Sequence, residues 1–74
     1  MADNFTYDFA GESHLISKGS NGWNLELNLI SWNGRPAKFD IRSWSEDHQK
    51  MGKGVTLTQE DLKNLRDILN QIQL

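Results

Sequence analysis

SWNGRPAKFDIRSW, residues 31–44, decides how the chain is read, because it joins a tight turn to a segment of strict two-residue period. Asn33-Gly34 accepts positive φ at both positions, as a hairpin turn whose twist matches its strands requires. Arg35 and Pro36 come next, so a bulged or longer connection fits as well as a two-residue one, and a proline is confined to a strand start or an edge. Beyond it, Ala37, Phe39, Ile41 and Ser43 alternate with Lys38, Asp40, Arg42 and Trp44. Successive strand side chains point to opposite sides of a sheet. One side is therefore apolar, and the other carries two cations, a carboxylate and an indole. With a regular register, the preceding parity Asn28, Ile30, Trp32 brings a second indole to that polar side. Tryptophans beside arginine and lysine on a solvent-facing sheet suit stacking on bases and pairing with phosphates. A solvated face without a ligand would explain the charges alone, and tryptophan forms strands whatever its function. The pairing of Trp32 with Trp44 on a polar side is what argues for a binding surface.

On the N-terminal side of this stretch, Trp23, Leu25, Leu27 and Leu29 share one parity, and Asn24, Glu26, Asn28, Ile30 and Trp32 the other. That pattern predicts a half-buried antiparallel strand whose leucines face the same core as Phe39 and Ile41. Lys18-Gly19-Ser20-Asn21-Gly22 is a turn by composition. Before it, Phe5 to Phe9 alternates as a strand, and Ala10-Gly11 permits a bend before Leu15 and Ile16, giving one interrupted strand or two short ones. On the C-terminal side, SEDHQKMGKG after Trp44 predicts a polar loop presenting Lys50 and Lys53, followed by a brief strand at Val55-Thr56-Leu57. Thr58 with Asp61 is a capping-box arrangement. Leu62, Leu65, Ile68, Leu69 and Ile72 form an apolar stripe on a helix running to the C-terminus. The matching stripes predict a sheet with Leu25, Leu27, Phe39 and Ile41 covered by Leu62, Leu65 and Leu69.

At 74 residues the chain reads as a single domain, 1–74, and a monomer of this size buries only about 60% of the surface its unfolded chain exposes. With no cysteine, no disulfide supplements that core, and oligomerisation is the remaining device. Net charge is −2, but Arg35 to Lys53 holds five cations against three carboxylates, and the first twelve residues hold Asp3, Asp8 and Glu12 without a cation. A local basic patch steers a ligand more than the total does. No segment approaches the ~20 apolar residues of a membrane span, and MADNFTYDF lacks the features of a secretory leader, which predicts a cytoplasmic protein without a membrane partner. His14 and His48 are far apart in sequence and have no i,i+4 histidine partner, so no metal site is expected. His48 beside Asp47 reads as part of a solvated loop. With no nucleophile elbow, Walker loop or dinucleotide fingerprint, neither enzyme activity, a cofactor nor a small-molecule substrate is expected. Two function classes remain: a binder of single-stranded nucleic acid, and a protein-interaction module built on the same Trp/Arg face.

The order of strand, WNGRP turn, FDIRSW strand, DHQKMGKGVTLT and amphipathic helix resembles the transcriptional coactivator family called positive cofactor four, most closely its small bacterial single-domain members, the YdbC-like proteins. The resemblance runs from about Leu15 to Leu69. It implies an α+β fold of four antiparallel strands and one C-terminal helix, forming a homodimer with a saddle-like sheet surface for single-stranded nucleic acid. By the match of motifs, Trp32, Arg35, Lys38, Arg42, Trp44, Lys50 and Lys53 would fall on that surface, with Lys18 and Trp23 beside the first turn. The chain departs from the family pattern at Leu29 or Ile30, where relatives can carry a basic residue. Fold alone does not carry a coactivator role with it.

Overall fold

The computed structural model describes residues 5–74; Asp3 of the acidic N-terminal run lies outside them. Five strands, β1 (Tyr7–Phe9), β2 (His14–Lys18), β3 (Trp23–Trp32), β4 (Lys38–Ser45) and β5 (Met51–Leu57), form one antiparallel sheet, followed by α1 (Gln59–Leu69). The ten-residue β3 organises it. One edge of β3 pairs with β4, and the other is shared by β2, opposite Asn24–Leu27, and β1, opposite Ile30–Trp32. The expected four strands are thus five, because the chain leaves the ladder after Phe9 and pairs with β3 again from His14 onward. Ala10 still donates its N–H to the Leu29 carbonyl at 2.7 Å as it departs.

Asn33 and Gly34 have φ of 52° and 75°, and the Arg35 N–H donates to the Trp32 carbonyl at 2.9 Å. This is a two-residue type I′ turn. The first ladder pair beyond it is Ile30 with Lys38, so one extra residue lies on the β4 side around Pro36, where a ladder bond is unavailable. Asn33 has a second task. Its N–H donates to the Thr6 carbonyl and its Oδ1 accepts from the Thr6 N–H, both at 2.8 Å, which fastens the N-terminal segment to the turn.

Directly paired residues share a face. The pairs Asn24–Trp44, Glu26–Arg42, Asn28–Asp40 and Ile30–Lys38 place both indoles on one side, as the two-residue period requires. That side is not solvent-facing, however. Ile30, Trp44 and Asp40 are 0% exposed and Asn28 1%. Two elements cover them. Tyr7 and Phe9, paired with Trp32 and Ile30, bring their rings to 5.4 Å and 5.0 Å from the Trp44 ring, and His48 of the β4–β5 turn comes within 5.6 Å. Trp44 and Phe9 are paired to β3 positions six residues apart, roughly 20 Å along a flat strand. Their contact requires the sheet to curl around the indole side. Ile30 fills this interior.

The leucine side is the more open one. Leu25, Leu27, Leu29, Phe39 and Ile41 are only half-buried, and α1 buries none of its own residues completely. Leu62, Leu65 and Leu69 do face Leu27 and Phe39, but across an open groove of about 490 Å³. The expected covering of the sheet by the helix is therefore right in direction and partial in extent. α1 opens on a complete capping box: the Asp61 N–H donates to Thr58 Oγ1 at 3.0 Å and the Thr58 N–H to Asp61 Oδ2 at 3.4 Å. It ends at Leu69 with Asn70 as its cap, so Ile72 lies past the helix and not on it. There the Gln71 N–H turns back to the Ile68 carbonyl, tightening the last turn.

Candidate nucleic-acid interface

Of the two tryptophans on the indole side, Trp32 keeps partial exposure. The Arg42 guanidinium carbon lies over its ring, 4.9 Å from the centroid, a distance at which a cation is attracted by the π-face. The rings of Phe5 and Tyr7 stand 5.7 Å and 5.9 Å away. Trp44, in contrast, is sealed inside the curl, and the expectation that it stands open to a base is corrected by Tyr7, Phe9 and His48 packing on it. The indole nitrogens of Trp32 and Trp44 and Asn28 Oδ1 are buried without a hydrogen-bond partner among the described residues.

Arg42 was expected as a phosphate-binding cation, but its fork is engaged within the sheet. Nε and an amino nitrogen donate to the two oxygens of Asp40 at 2.7 Å and 2.9 Å, and the other amino nitrogen reaches the Gly52 carbonyl at 3.3 Å. Thr56 Oγ1 donates to the same carboxylate at 3.0 Å. The arm of Arg42 crosses β5 at Gly54, where a Cβ would collide with the Arg42 side chain and the Ile41 carbonyl. A glycine there makes the crossing possible. With its side chain 15% exposed beside a fully buried carboxylate, Arg42 is a neutralised group that holds Trp32 in place.

The free cations are elsewhere. Lys18, Arg35, Lys38, Lys50 and Lys53 are all exposed, and none of them has a side-chain ion-pair partner among the described residues. Arg35 follows the type I′ turn directly after Trp32, and Lys38 shares the indole side through its pairing with Ile30. Lys18 pairs with Asn24 at the opposite end of β3. Lys53 sits where β5 bulges between the Arg42–Gly54 and Trp44–Met51 pairs, a device that re-aims side chains. Trp23, 36% exposed, belongs to the leucine side by parity and is separated from the other two indoles by the thickness of the sheet.

His48 departs from its solvated-loop reading. Its φ is 58°, and Nε2 lies 2.9 Å and 3.0 Å from the two oxygens of Glu26, a residue 5% exposed. The Tyr7 hydroxyl donates to the His48 carbonyl at 3.1 Å, and Asn28 Nδ2 donates to Glu26 Oε1 at 3.1 Å. The neighbouring Asp47 faces its own turn instead. The Gln49 N–H and then the Ser45 hydroxyl hold its carboxyl below the usual value. Phe5, Tyr7, Phe9 and His48 are thus site-shaping residues that the sequence reading did not single out. The alternation of the first three was visible; their register against β3 was not. Among the described residues, no group of three or more His, Cys, Asp or Glu could hold a metal ion, and no helix is long and apolar enough to cross a membrane.

Residues 20–68, from the β2–β3 turn through most of α1, match the family model described as Transcriptional Coactivator p15 (PC4). The chain belongs to this family. A protein of Treponema pallidum (strain Nichols), described as an uncharacterized protein, is 54% identical over 72 residues, covering 97% of this chain and 85% of the relative. Membership in the PC4 family suggests nucleic-acid binding as the class of function. The PC4 match contains Trp32, Arg35, Lys38, Arg42, Trp44, Lys50 and Lys53, and it begins after β1 and β2. The aromatic cover contributed by Phe5, Tyr7 and Phe9 therefore lies outside the part of the chain that carries the PC4 pattern.

Proposed function

We propose that the protein binds single-stranded nucleic acid with little sequence preference, as a non-enzymatic module that works as a homodimer in the cytoplasm. The observation that carries this reading is the partly exposed Trp32 with Arg42 over its ring, beside the exposed cations Arg35 and Lys38, which have no ion-pair partner among the described residues. A base can stack on an indole whatever its identity, and phosphates are then met by cations flanking it. Lys50, Lys53 and Lys18 extend the positive path along the sheet. Trp44 and Arg42 act from within, Trp44 as packing and Arg42 as the support of Trp32. The open leucine side favours a second copy of the chain as its cover, with Leu62, Leu65 and Leu69 of each protomer meeting the partner across the groove.

Titration of the tryptophan fluorescence with oligo-dT, oligo-U and a duplex of equal length tests the binding. Single strands should bind more tightly, since duplex bases are already stacked on one another and offer only the charge term. If Arg35, Lys38, Lys50 and Lys53 each release one counterion, log affinity should fall with log salt at a slope of about −2.8. Trp32→Ala should cost about 1–3 kcal/mol of binding without changing that slope. A salt-independent affinity would instead favour a protein-interaction role for the same face, and a preference for duplex would end the stacking mechanism.

A further inference from the structure

We infer that Phe5 is a second stacking platform for the single strand, extending the Trp32 surface past the Asn33-Gly34 turn; this rests on the nucleic-acid reading above. Phe5 is 54% exposed, yet its ring packs on neighbouring aromatics and the backbone that follows it is fastened. Immediately after it, Thr6 exchanges two 2.8 Å hydrogen bonds with Asn33. Its ring packs 5.7 Å from Trp32 at an interplanar angle of 30° and 6.2 Å from Tyr7. An exposed aromatic whose ring is packed in this way has less side-chain freedom left to lose when a ligand arrives, so contact with it is pre-organised.

The spacing sets where the base goes. A ring inserted between Phe5 and Trp32 would need their planes about twice as far apart as two stacked rings, roughly 7 Å, so the 5.7 Å centroid separation excludes insertion. The base must lie on the outward side of Phe5. Thr6 is level with Asn33, which puts Phe5 beside the turn that carries the exposed Arg35. A base on Phe5 thereby has a cation close to its phosphate, the same combination that Trp32 has with Lys38. The path gains one nucleotide at the end where β1 meets β3, from a segment that precedes the residues matched by the PC4 model.

The test is oligo-dT affinity of the full chain carrying Phe5→Leu, Phe5→Ala or Phe5→Trp, with Trp32→Ala measured alongside and circular dichroism confirming the fold of each. Leucine keeps the apolar bulk and removes the π-face. Phe5→Leu and Phe5→Ala should each weaken binding about tenfold, Phe5→Trp should bind at least as well as the parent, and the salt slope should not move in any of the three. If Phe5→Leu binds like the parent while Trp32→Ala is weakened, Phe5 is only part of the apolar cover and the inference is overturned with the proposed function intact. If the parent itself shows no salt-dependent binding of oligo-dT, the functional reading falls and this inference with it.

Discussion

Arg42 acquires its role from its neighbours. Its guanidinium balances Asp40, whose side chain is fully buried, and removing one partner of such a pair strands a charge away from water. Arg42→Ala should therefore lose about 3–5 kcal/mol of stability, seen as a lowered urea midpoint, and adding Asp40→Asn should recover part of it. An unchanged midpoint would mean that Asp40 is not relying on this partner. A binding defect in Arg42→Ala would consequently report the loss of fold and of the support of Trp32, which makes Lys38→Ala the cleaner probe of charge. Asp47 is a second residue with a readable consequence. The Gln49 N–H and the Ser45 hydroxyl favour its ionised form, lowering its pKa in the folded state. The contribution is present above the unfolded carboxyl's value and is lost as pH falls through the lower, folded one. Asp47→Asn should remove this acid-sensitive component, and an Asp47 carboxyl titrating by NMR at or above the ordinary aspartate value would contradict it.

At the scale of elements, α1 depends on its first turn more than on its packing. No α1 residue is fully buried, so the Thr58–Asp61 capping box supplies a large share of what defines where the helix begins. Thr58→Ala should cost about 1 kcal/mol, whereas Thr58→Ser should be nearly neutral. Thermal unfolding followed by far-ultraviolet circular dichroism measures both. If alanine were tolerated without a shift, the start of α1 would have to be set by contact with the sheet instead. β1 illustrates the opposite case. It is three residues long, too short to hold itself, and is fixed by the Thr6–Asn33 exchange at one end and by Tyr7 and Phe9 packing on Trp44 at the other.

For the whole molecule, the distribution of exposure is the telling property. The polar-looking side of the sheet is closed by the chain's own aromatics, while the leucine side, with the groove between Phe39 and Leu65, stays half-open. A small chain without disulfides gains most by covering that side with a second copy. Sedimentation at micromolar concentration should show a species of twice 8.5 kDa, and the unfolding midpoint should rise with protein concentration. Leu65→Glu, which puts a charge into the groove, should abolish both effects. A parent that sediments only as the 8.5 kDa species would rule the dimer out.

The sequence by itself determined most of the elements and the faces of the central strands, but not the fifth strand, the start of β5 at Met51 or the end of α1 at Leu69. Period-two alternation in residues 23–32 and 38–44 assigned the side chains there to a side, Asn33-Gly34 marked the place of the turn while leaving its length open, and Thr58 with Asp61 marked the start of α1. These are local properties, set by backbone geometry within a few residues. Which side became interior was decided only by the tertiary structure. Alternation tells two sides apart but does not say what covers each of them, and here the cover comes from β1 and from His48, 35 and 4 residues away from Trp44 along the chain for Phe9 and His48 respectively. The curl that brings these groups together turned Trp44 from an open platform into packing, and gave Arg42 to Asp40. It also left Phe5 and Trp32 at the rim, because burial depends on long-range register that no local pattern encodes.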